Sequence, residues 1–159
     1  MLGEEEGAKR IIGCFERIFD AKPDLSQFSD RLAIQKIAYL LRNFNIAYTA
    51  YSFIWHWRGV YSPLLGSEVC QLIGKEQQIE GQISNNDRIA LDEIKRILPE
   101  GKEQMINYLE LYTSILFFQK EGVIEPTDLV ARIRFHKPWY SEEQILKSIS
   151  ELSKISIAR

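Results

Sequence analysis

The segment that decides the fold class is 102–120, which reads KEQMINYLELYTSILFFQK. Its apolar residues recur at helical spacing and cover much of the helix circumference. They are Met105, Ile106, Leu109, Tyr112, Ile115, Leu116 and Phe117. A helix on the surface of a globular protein carries a narrower apolar stripe, so this segment is predicted to be a buried central helix.

Apolar residues at helical spacing predict further helices on both sides of this segment. These helices are expected at about 4–20, 30–44, 64–73, 87–98, 128–136 and 142–155. Ser29 is the expected N-cap of the second helix and Asn45 its expected C-cap. Ser141, followed three residues later by Gln144, resembles a capping box.

The predicted fold class is mainly α, a compact helical single domain with a short β strand or hairpin element. A winged-helix-like arrangement is compatible with this combination of elements. We expect residues 1–159 to form one domain. Within it, 1–28 would be an N-terminal helix and turn, and 29–155 the core.

Residues 46–58 are rich in aromatic side chains, and several of them recur at every second position. These are Tyr51, Phe53, Trp55 and Trp57. The spacing predicts a strand with one aromatic face. Arg58–Pro63 is then predicted to be a turn, in which Gly59 permits a positive φ. Such a turn would place Arg58 and Tyr61 at a surface edge, where binding residues are often found, although a purely structural turn fits the same residues.

Composition narrows the class of protein. The chain has 159 residues, of which 45% are hydrophobic, and this fits one soluble globular domain. Its net charge of −2 argues against strong non-specific binding to nucleic acid. No apolar run is long enough for a membrane span, and Met1–Arg10 lacks the apolar region of a signal peptide. We therefore expect a cytoplasmic protein with reduced thiols and no membrane partner.

Two segments contain no acidic residue, namely 31–67 and 129–140. Both interleave basic and aromatic side chains. The second contains Arg132, Arg134, His136, Lys137, Trp139 and Tyr140. Arginine and aromatic planes together can stack on bases and contact phosphates. The same residues also fit a fold in which the aromatics form the core and the cations are solvated.

Catalytic and metal-binding motifs are not found in the sequence. The histidines and cysteines are Cys14, His56, Cys70 and His136. Their spacing matches neither a zinc site nor a local cysteine–histidine catalytic pair. Ser62 is not in a G-x-S-x-G elbow, and no glycine-rich nucleotide-binding motif is present. We therefore predict no metal, no cofactor and no enzymatic activity.

An ordered pattern runs from Arg31 to Leu152. Its elements are Arg31-Leu32, Gln35-Lys36, Tyr39-Leu40-Leu41, Tyr51, Phe53, Trp55, Arg58–Pro63, Leu65, Lys137-Pro138, Ser141–Ile145 and Leu152. This pattern resembles the bacterial and archaeal YwgA-like proteins, which are related to the Panacea domain, the SocA-type antitoxin domain. Val60 departs from it, because proline is usual at that position. The resemblance implies an antitoxin or adaptor that binds a partner protein, and it implies no catalytic residue.

We therefore predict a non-enzymatic interaction protein, antitoxin- or adaptor-like, that binds a partner protein through 51–63 and 132–140. The expected partner-binding residues are Trp55, Trp57, Arg58, Gly59, Tyr61, Ser62, Arg132 and Arg134. Trp57, Arg58 and Tyr61 would be the anchors, because Trp, Tyr and Arg dominate interface hot spots. The alternative is a winged-helix-like nucleic-acid-binding protein. A homodimer is compatible with either hypothesis.

Overall fold

The computed structural model describes residues 4–44 and 51–155. These residues form seven α-helices, one short 3-10 helix at Glu76–Gln78 and one two-stranded hairpin. The main elements are α1 (Glu4–Phe19), α2 (Phe28–Arg42), β1 (Ile54–His56), β2 (Gly59–Tyr61), α3 (Pro63–Gln71), α4 (Asn85–Ile97), α5 (Lys102–Lys120), α6 (Pro126–His136) and α7 (Glu142–Ser153). The predicted fold class, mainly α with a small β-hairpin in one compact domain, is confirmed.

Helix α5 lies at the centre of the fold, as its apolar pattern predicts. It contacts α2, α6, α7 and strand β2. Every residue from 109 to 116 is buried. The hydroxyl of Tyr112 donates a 2.7 Å hydrogen bond to the carbonyl of Ile97, so even the polar end of this large buried ring has a partner.

Helix α1 belongs to the same core, because its apolar face packs against α2, α3 and α4. Its glycine at position 13 weakens helix propensity but permits close packing. A Cβ atom at Gly13 would lie 2.8 Å from the carbonyl oxygen of Gly81. The glycine is therefore required by the approach of the segment after the 3-10 helix.

Side-chain hydrogen bonds cap the N-termini of α3, α4 and α7. The predicted capping box at Ser141 and Gln144 is confirmed. The prediction of Ser29 as an N-cap is wrong, because α2 begins two residues earlier than predicted, at Phe28, and Gln27 is its N-cap. Instead, the buried carboxylate of Asp30 accepts the backbone N–H of Asp24 and fixes the preceding turn. The predicted C-cap Asn45 lies outside the described residues.

The hairpin differs from the single strand and turn predicted for 46–63. Ile54 pairs with Tyr61, and His56 pairs with Gly59. Residues 59–61 are therefore a second strand, and the turn consists of Trp57 and Arg58. The chain reverses there because Gly59 adopts a φ of +94°. The N-terminal part of the predicted strand, residues 46–50, lies outside the described residues.

Strand β2 packs against α2 and α5, and Val60 at its centre is fully buried. The hairpin is thus attached to the helical core, mainly along β2, while the turn at Trp57 lies at the surface. No helix in the described part of the chain is both long and apolar enough to cross a membrane.

Candidate binding site

Two consecutive residues of α2 hold strand β2 by its backbone. The Nζ of Lys36 donates to the carbonyl oxygens of Arg58 at 2.7 Å and Val60 at 2.8 Å. The side-chain amide of Gln35 donates to the carbonyl of Ser62 at 3.0 Å and accepts the N–H of Ser62 at 2.8 Å. These four hydrogen bonds fix the strand, and with it the turn, against α2.

A single buried carboxylate lies beneath the turn. Glu110, in the middle of α5, accepts a 2.6 Å hydrogen bond from the Nζ of Lys137. It also accepts from the guanidinium of Arg58 at 3.3 Å. Lys36, Arg58, Lys137 and Glu110 together form what we call the cationic cluster. It contains three basic groups and one acidic group.

Gly59 makes room for this cluster. A Cβ atom at this position would lie 3.1 Å from the Nζ of Lys36 and 3.7 Å from the Nζ of Lys137. Two buried basic groups thus approach the strand from different elements, one from α2 and one from the residue that follows α6. The absence of a side chain at Gly59 is what allows both to reach the same place.

Burial and the excess of positive charge shift the pKa values of the cluster. Burial lowers the pKa of Lys36 to about 7, with Glu110 opposing the shift and Lys137 and Arg58 adding to it. Burial also lowers the pKa of Lys137, again against the effect of Glu110. Burial alone would raise the pKa of Glu110, but Lys137 and Arg58 together hold it below its usual value. An additional anion near this cluster would therefore be stabilised.

The turn presents an aromatic and cationic surface. Trp57 is 69% exposed and Phe28 is 46% exposed. Their rings are nearly parallel, at 4°, with centroids 6.1 Å apart. The guanidinium carbon of Arg58 lies 5.5 Å from the Trp57 ring and 5.6 Å from the Phe28 ring, and that of Arg31 lies 5.9 Å from Phe28. We call Phe28, Arg31, Trp57 and Arg58 the hairpin surface.

A cavity of 280 Å³ adjoins the hairpin surface between α2, the hairpin and α3. Its apolar walls include Phe28, Leu32, Tyr61 and Val69. Its ionisable basic side chains are Arg31, Lys36, His56 and Arg58. None of the described acidic side chains lines it. Its electrostatic character is therefore that of an anion site with apolar walls.

The residues predicted around the turn take different places in the structure. Trp57 and Arg58 lie on the hairpin surface, and Tyr61 is half-buried in the cavity wall. Gly59 is buried against the cationic cluster. Ser62 is fully buried, and its hydroxyl accepts the N–H of Leu65 at the start of α3. The position of Ser62 therefore indicates a structural role.

Trp55 is half-buried in an aromatic cluster, unlike its neighbour Trp57. Its ring lies 4.6 Å from that of Phe118 and 5.2 Å from that of His136. Trp55 points inward because side chains alternate along β1. Trp57 lies in the turn, where this alternation no longer applies, and its side chain is exposed. The predicted aromatic face is thus divided between core and surface.

The two predicted binding segments meet through Lys137. Its Nζ lies 5.5 Å from the Trp55 ring and 5.6 Å from the Trp139 ring. Lys137 itself is buried, whereas Arg132, Arg134 and Trp139 are exposed. Segment 132–140 therefore supplies one buried cation to the cluster and several exposed side chains beside it.

Four residues of the hairpin surface and the cationic cluster were not identified as site residues from the sequence: Phe28, Arg31, Lys36 and Glu110. Glu110 could have been identified from the sequence, because it is the single acidic residue between Met105 and Phe118 in the most apolar helix. A charged residue inside such a helix needs a buried partner of opposite charge. Phe28 has no comparable signal, since it precedes the predicted start of α2.

The histidines and cysteines take separate structural places. Cys14 is buried in the core, and Cys70 is exposed beside the cavity. The His136 ring stacks on that of Phe118, with centroids 5.5 Å apart. Within residues 4–44 and 51–155, no group of three His, Cys, Asp or Glu side chains is arranged to hold a metal ion.

Comparison with known proteins gives no assignment. No protein-family model matches the chain. No curated protein and no solved structure matches it either. The resemblance to YwgA-like and Panacea proteins therefore stays a prediction made from the residues.

Proposed function

We propose that this protein is a non-enzymatic interaction domain, antitoxin- or adaptor-like, that binds a partner protein through the hairpin surface. The observation that carries the proposal is the exposed pair of Phe28 and Trp57, with the Arg58 guanidinium beside both rings. Tryptophan and arginine are the residue types that most often dominate protein interfaces. An exposed cluster of large aromatic rings is also a common mark of an interaction site.

The backbone beneath this surface supports the proposal. Lys36 holds the carbonyl of Arg58, and Glu110 binds its guanidinium. Arg58 is therefore positioned before any partner arrives. Such pre-organisation reduces the conformational entropy that is lost on binding and favours affinity.

Segment 132–140 extends the proposed interface. Trp139 is 61% exposed, and its ring lies next to the same Lys137 that contacts Trp55. Phe135 is also exposed, at the end of α6. We assign the anchoring role to the hairpin surface and a secondary role to Trp139, Arg132 and Arg134.

The alternative, binding of nucleic acid, has less support from the cations of segment 31–67. Lys36 is buried, Arg58 binds Glu110, and the guanidinium of Arg42 donates to the carbonyl of Tyr51. Of the four cations in this segment, Lys36 is therefore unavailable for phosphate contacts and Arg58 is partly neutralised by Glu110, whereas Arg42 is exposed. Arg42, Arg132 and Arg134 are the exposed cations on which the alternative depends.

The decisive experiment uses the purified chain as bait to capture binding partners, with and without nuclease. Wild type is compared with Trp57→Ala and with Ile89→Ala, a matched removal of a 63% exposed apolar side chain on α4. We expect a stoichiometric protein that survives nuclease, is retained by Ile89→Ala and is lost with Trp57→Ala. Arg58→Glu is a poor probe, because it would place a second carboxylate beside buried Glu110.

A photo-crosslinking phenylalanine analogue at position 57 identifies the contact directly. Cross-links to the captured protein are expected from position 57 and not from position 89. Equal capture by wild type, Trp57→Ala and Ile89→Ala would refute the assignment of the hairpin surface. Capture that disappears with nuclease would instead favour nucleic-acid binding. Trp139→Ala, measured in parallel, tests the secondary role of segment 132–140.

A further inference from the structure

The cavity beside the hairpin surface holds hydrogen-bond donors that the fold does not use. When protonated, Lys36 donates two of its three N–H groups to the carbonyls of Arg58 and Val60, and the third has no acceptor among the described residues. Arg31 uses Nη1 for the carbonyl of Leu25. A guanidinium has five N–H donors, so Arg31 and Arg58 both keep donors for a ligand.

The charges around these donors are unbalanced. Arg31, Lys36 and Arg58 line the cavity, and Glu110, the acid that binds Arg58, is shared with Lys137. Lys36 is only 1% exposed, so solvent screens its charge poorly. An anion in the cavity would relieve the mutual repulsion of these basic groups and form charge-assisted hydrogen bonds with them.

The walls and the size of the cavity restrict what this anion is attached to. Phe28, Leu32, Tyr61 and Val69 supply apolar surface, which suits an aliphatic or aromatic group. The volume of 280 Å³ is at the lower limit of the roughly 300–1,000 Å³ that is typical for drug-sized ligands. It suits a single amino-acid residue or a small organic acid, and not a nucleotide or a long segment of chain.

We infer that this cavity binds a carboxylate attached to an apolar group. Two sources can present this chemistry: the C-terminal residue of a partner protein, or a free organic acid. This inference rests on the proposed function, because the partner bound at the hairpin surface is the expected source of the carboxylate. Its carboxylate would contact Arg31, Lys36 and Arg58, while its side chain would lie against Phe28 and Tyr61.

The test uses two pairs of probes that differ only in charge. Acetyl-Gly-Gly-Phe with a free C-terminus is compared with its C-terminal amide, and phenylacetate is compared with phenylacetamide. Binding is measured by calorimetry on the full chain at low salt. We expect each acid to bind at least about tenfold more tightly than its amide, since each amide lacks the charge-assisted hydrogen bonds.

Cys70 supplies an independent measurement, because it is exposed and lines the cavity while Cys14 is buried. Alkylation of Cys70 by iodoacetamide, followed by mass spectrometry, should slow in proportion to occupancy by the acid. Arg31→Gln should weaken binding of both acids without affecting their amides. Arg88→Gln, which removes an exposed cation on α4, is the matched control and should leave binding unchanged.

Each outcome decides the inference. Binding of the peptide acid in preference to phenylacetate assigns a partner's C-terminus, and the reverse preference assigns a small organic acid. Equal binding of acids and amides, equal effects of Arg31→Gln and Arg88→Gln, or no binding of any probe would overturn the inference. Acid binding without any partner captured through Trp57 would leave the cavity assignment standing and the proposed function refuted. Capture of a partner through Trp57 without acid binding would support the proposed function and refute the cavity assignment.

Discussion

The Nζ of Lys137 lies 2.6 Å from the Oε1 of Glu110, and both side chains are almost completely buried. The pair joins the C-terminal end of α6 to the middle of α5, directly below the hairpin turn. Because Arg58 shares the same carboxylate, this buried ion pair connects the helical core to the hairpin surface.

Loss of Glu110 should be severely destabilising. Glu110→Gln would leave Lys137, Lys36 and Arg58 close together without a compensating charge. We expect the free energy of unfolding to fall by about 3–5 kcal/mol, the usual range for breaking a buried ion pair. Urea denaturation near neutral pH measures the change. As a surface control, Lys154→Met breaks the exposed pair with Glu151 and should cost less than about 1 kcal/mol.

A double-mutant cycle separates the pair from its surroundings. Because Lys137→Met removes one of the repelling cations, the combination of Glu110→Gln and Lys137→Met should cost less than the sum of the two single changes. Strict additivity would mean that the two groups do not interact across 2.6 Å as the structure indicates.

The buried ammonium of Lys36 should make stability depend on pH. Its pKa is about 7 in the folded chain, well below the usual value for lysine, 10.5. Between these values the unfolded chain binds more protons than the folded chain, so stability should rise with pH across this interval. Below about pH 7 both states are protonated, and the cost of burying the charge is present in full.

Lys36→Met removes this proton linkage. We expect urea denaturation between about pH 7 and 10 to give a shallower increase in the stability of Lys36→Met than of wild type. Lys36→Met also removes the repulsion between Lys36 and Lys137, and both effects make the pH profile shallower. Parallel pH profiles for the two proteins would contradict the lowered pKa of Lys36.

The helical framework could be predicted from the sequence because each helix repeats its own pattern locally. Segment 102–120 carries apolar residues around much of its circumference, and the structure buries it at the centre. Ser141 and Gln144 lie three residues apart and form the expected capping box. Such signals need no information about which elements later become neighbours.

The site could be predicted only in part, because its contacts join distant parts of the chain. Lys36 is on α2, Glu110 is on α5 and Lys137 follows the end of α6, and periodicity does not reveal which helices meet. Gly59 fits a turn as well as a strand in the sequence. Its place in β2 depends on Lys36, whose hydrogen bonds to the carbonyls of Arg58 and Val60 hold that strand.

A side chain at position 59 should destabilise the protein in two ways, by backbone strain and by overpacking against the cationic cluster. Gly59→Ala forces a non-glycine residue to a φ of +94° and directs its Cβ at the Nζ of Lys36. Gly74→Ala is the matched control, with a φ of +86° and no atom within 4 Å of its Cβ. We expect both to destabilise by about 1–3 kcal/mol from strain, and Gly59→Ala to cost at least about 1 kcal/mol more from overpacking. Equal losses in urea denaturation would show that the cluster tolerates the extra methyl group.

The side chain of Gln35 should contribute more to stability than the neighbouring Ser62 hydroxyl, which caps α3. Gln35→Leu would leave the buried N–H of Ser62 without its acceptor, whereas the carbonyl of Ser62 would still accept from the N–H of Gly66. We expect a loss of about 1–3 kcal/mol for the one orphaned donor and the lost amide hydrogen bond. Ser62→Ala removes only the hydroxyl that caps α3 and should cost about 1 kcal/mol. Chemical denaturation of both variants tests this order, and a larger loss for Ser62→Ala would mean that the cap, and not the amide pair, secures the junction between β2 and α3.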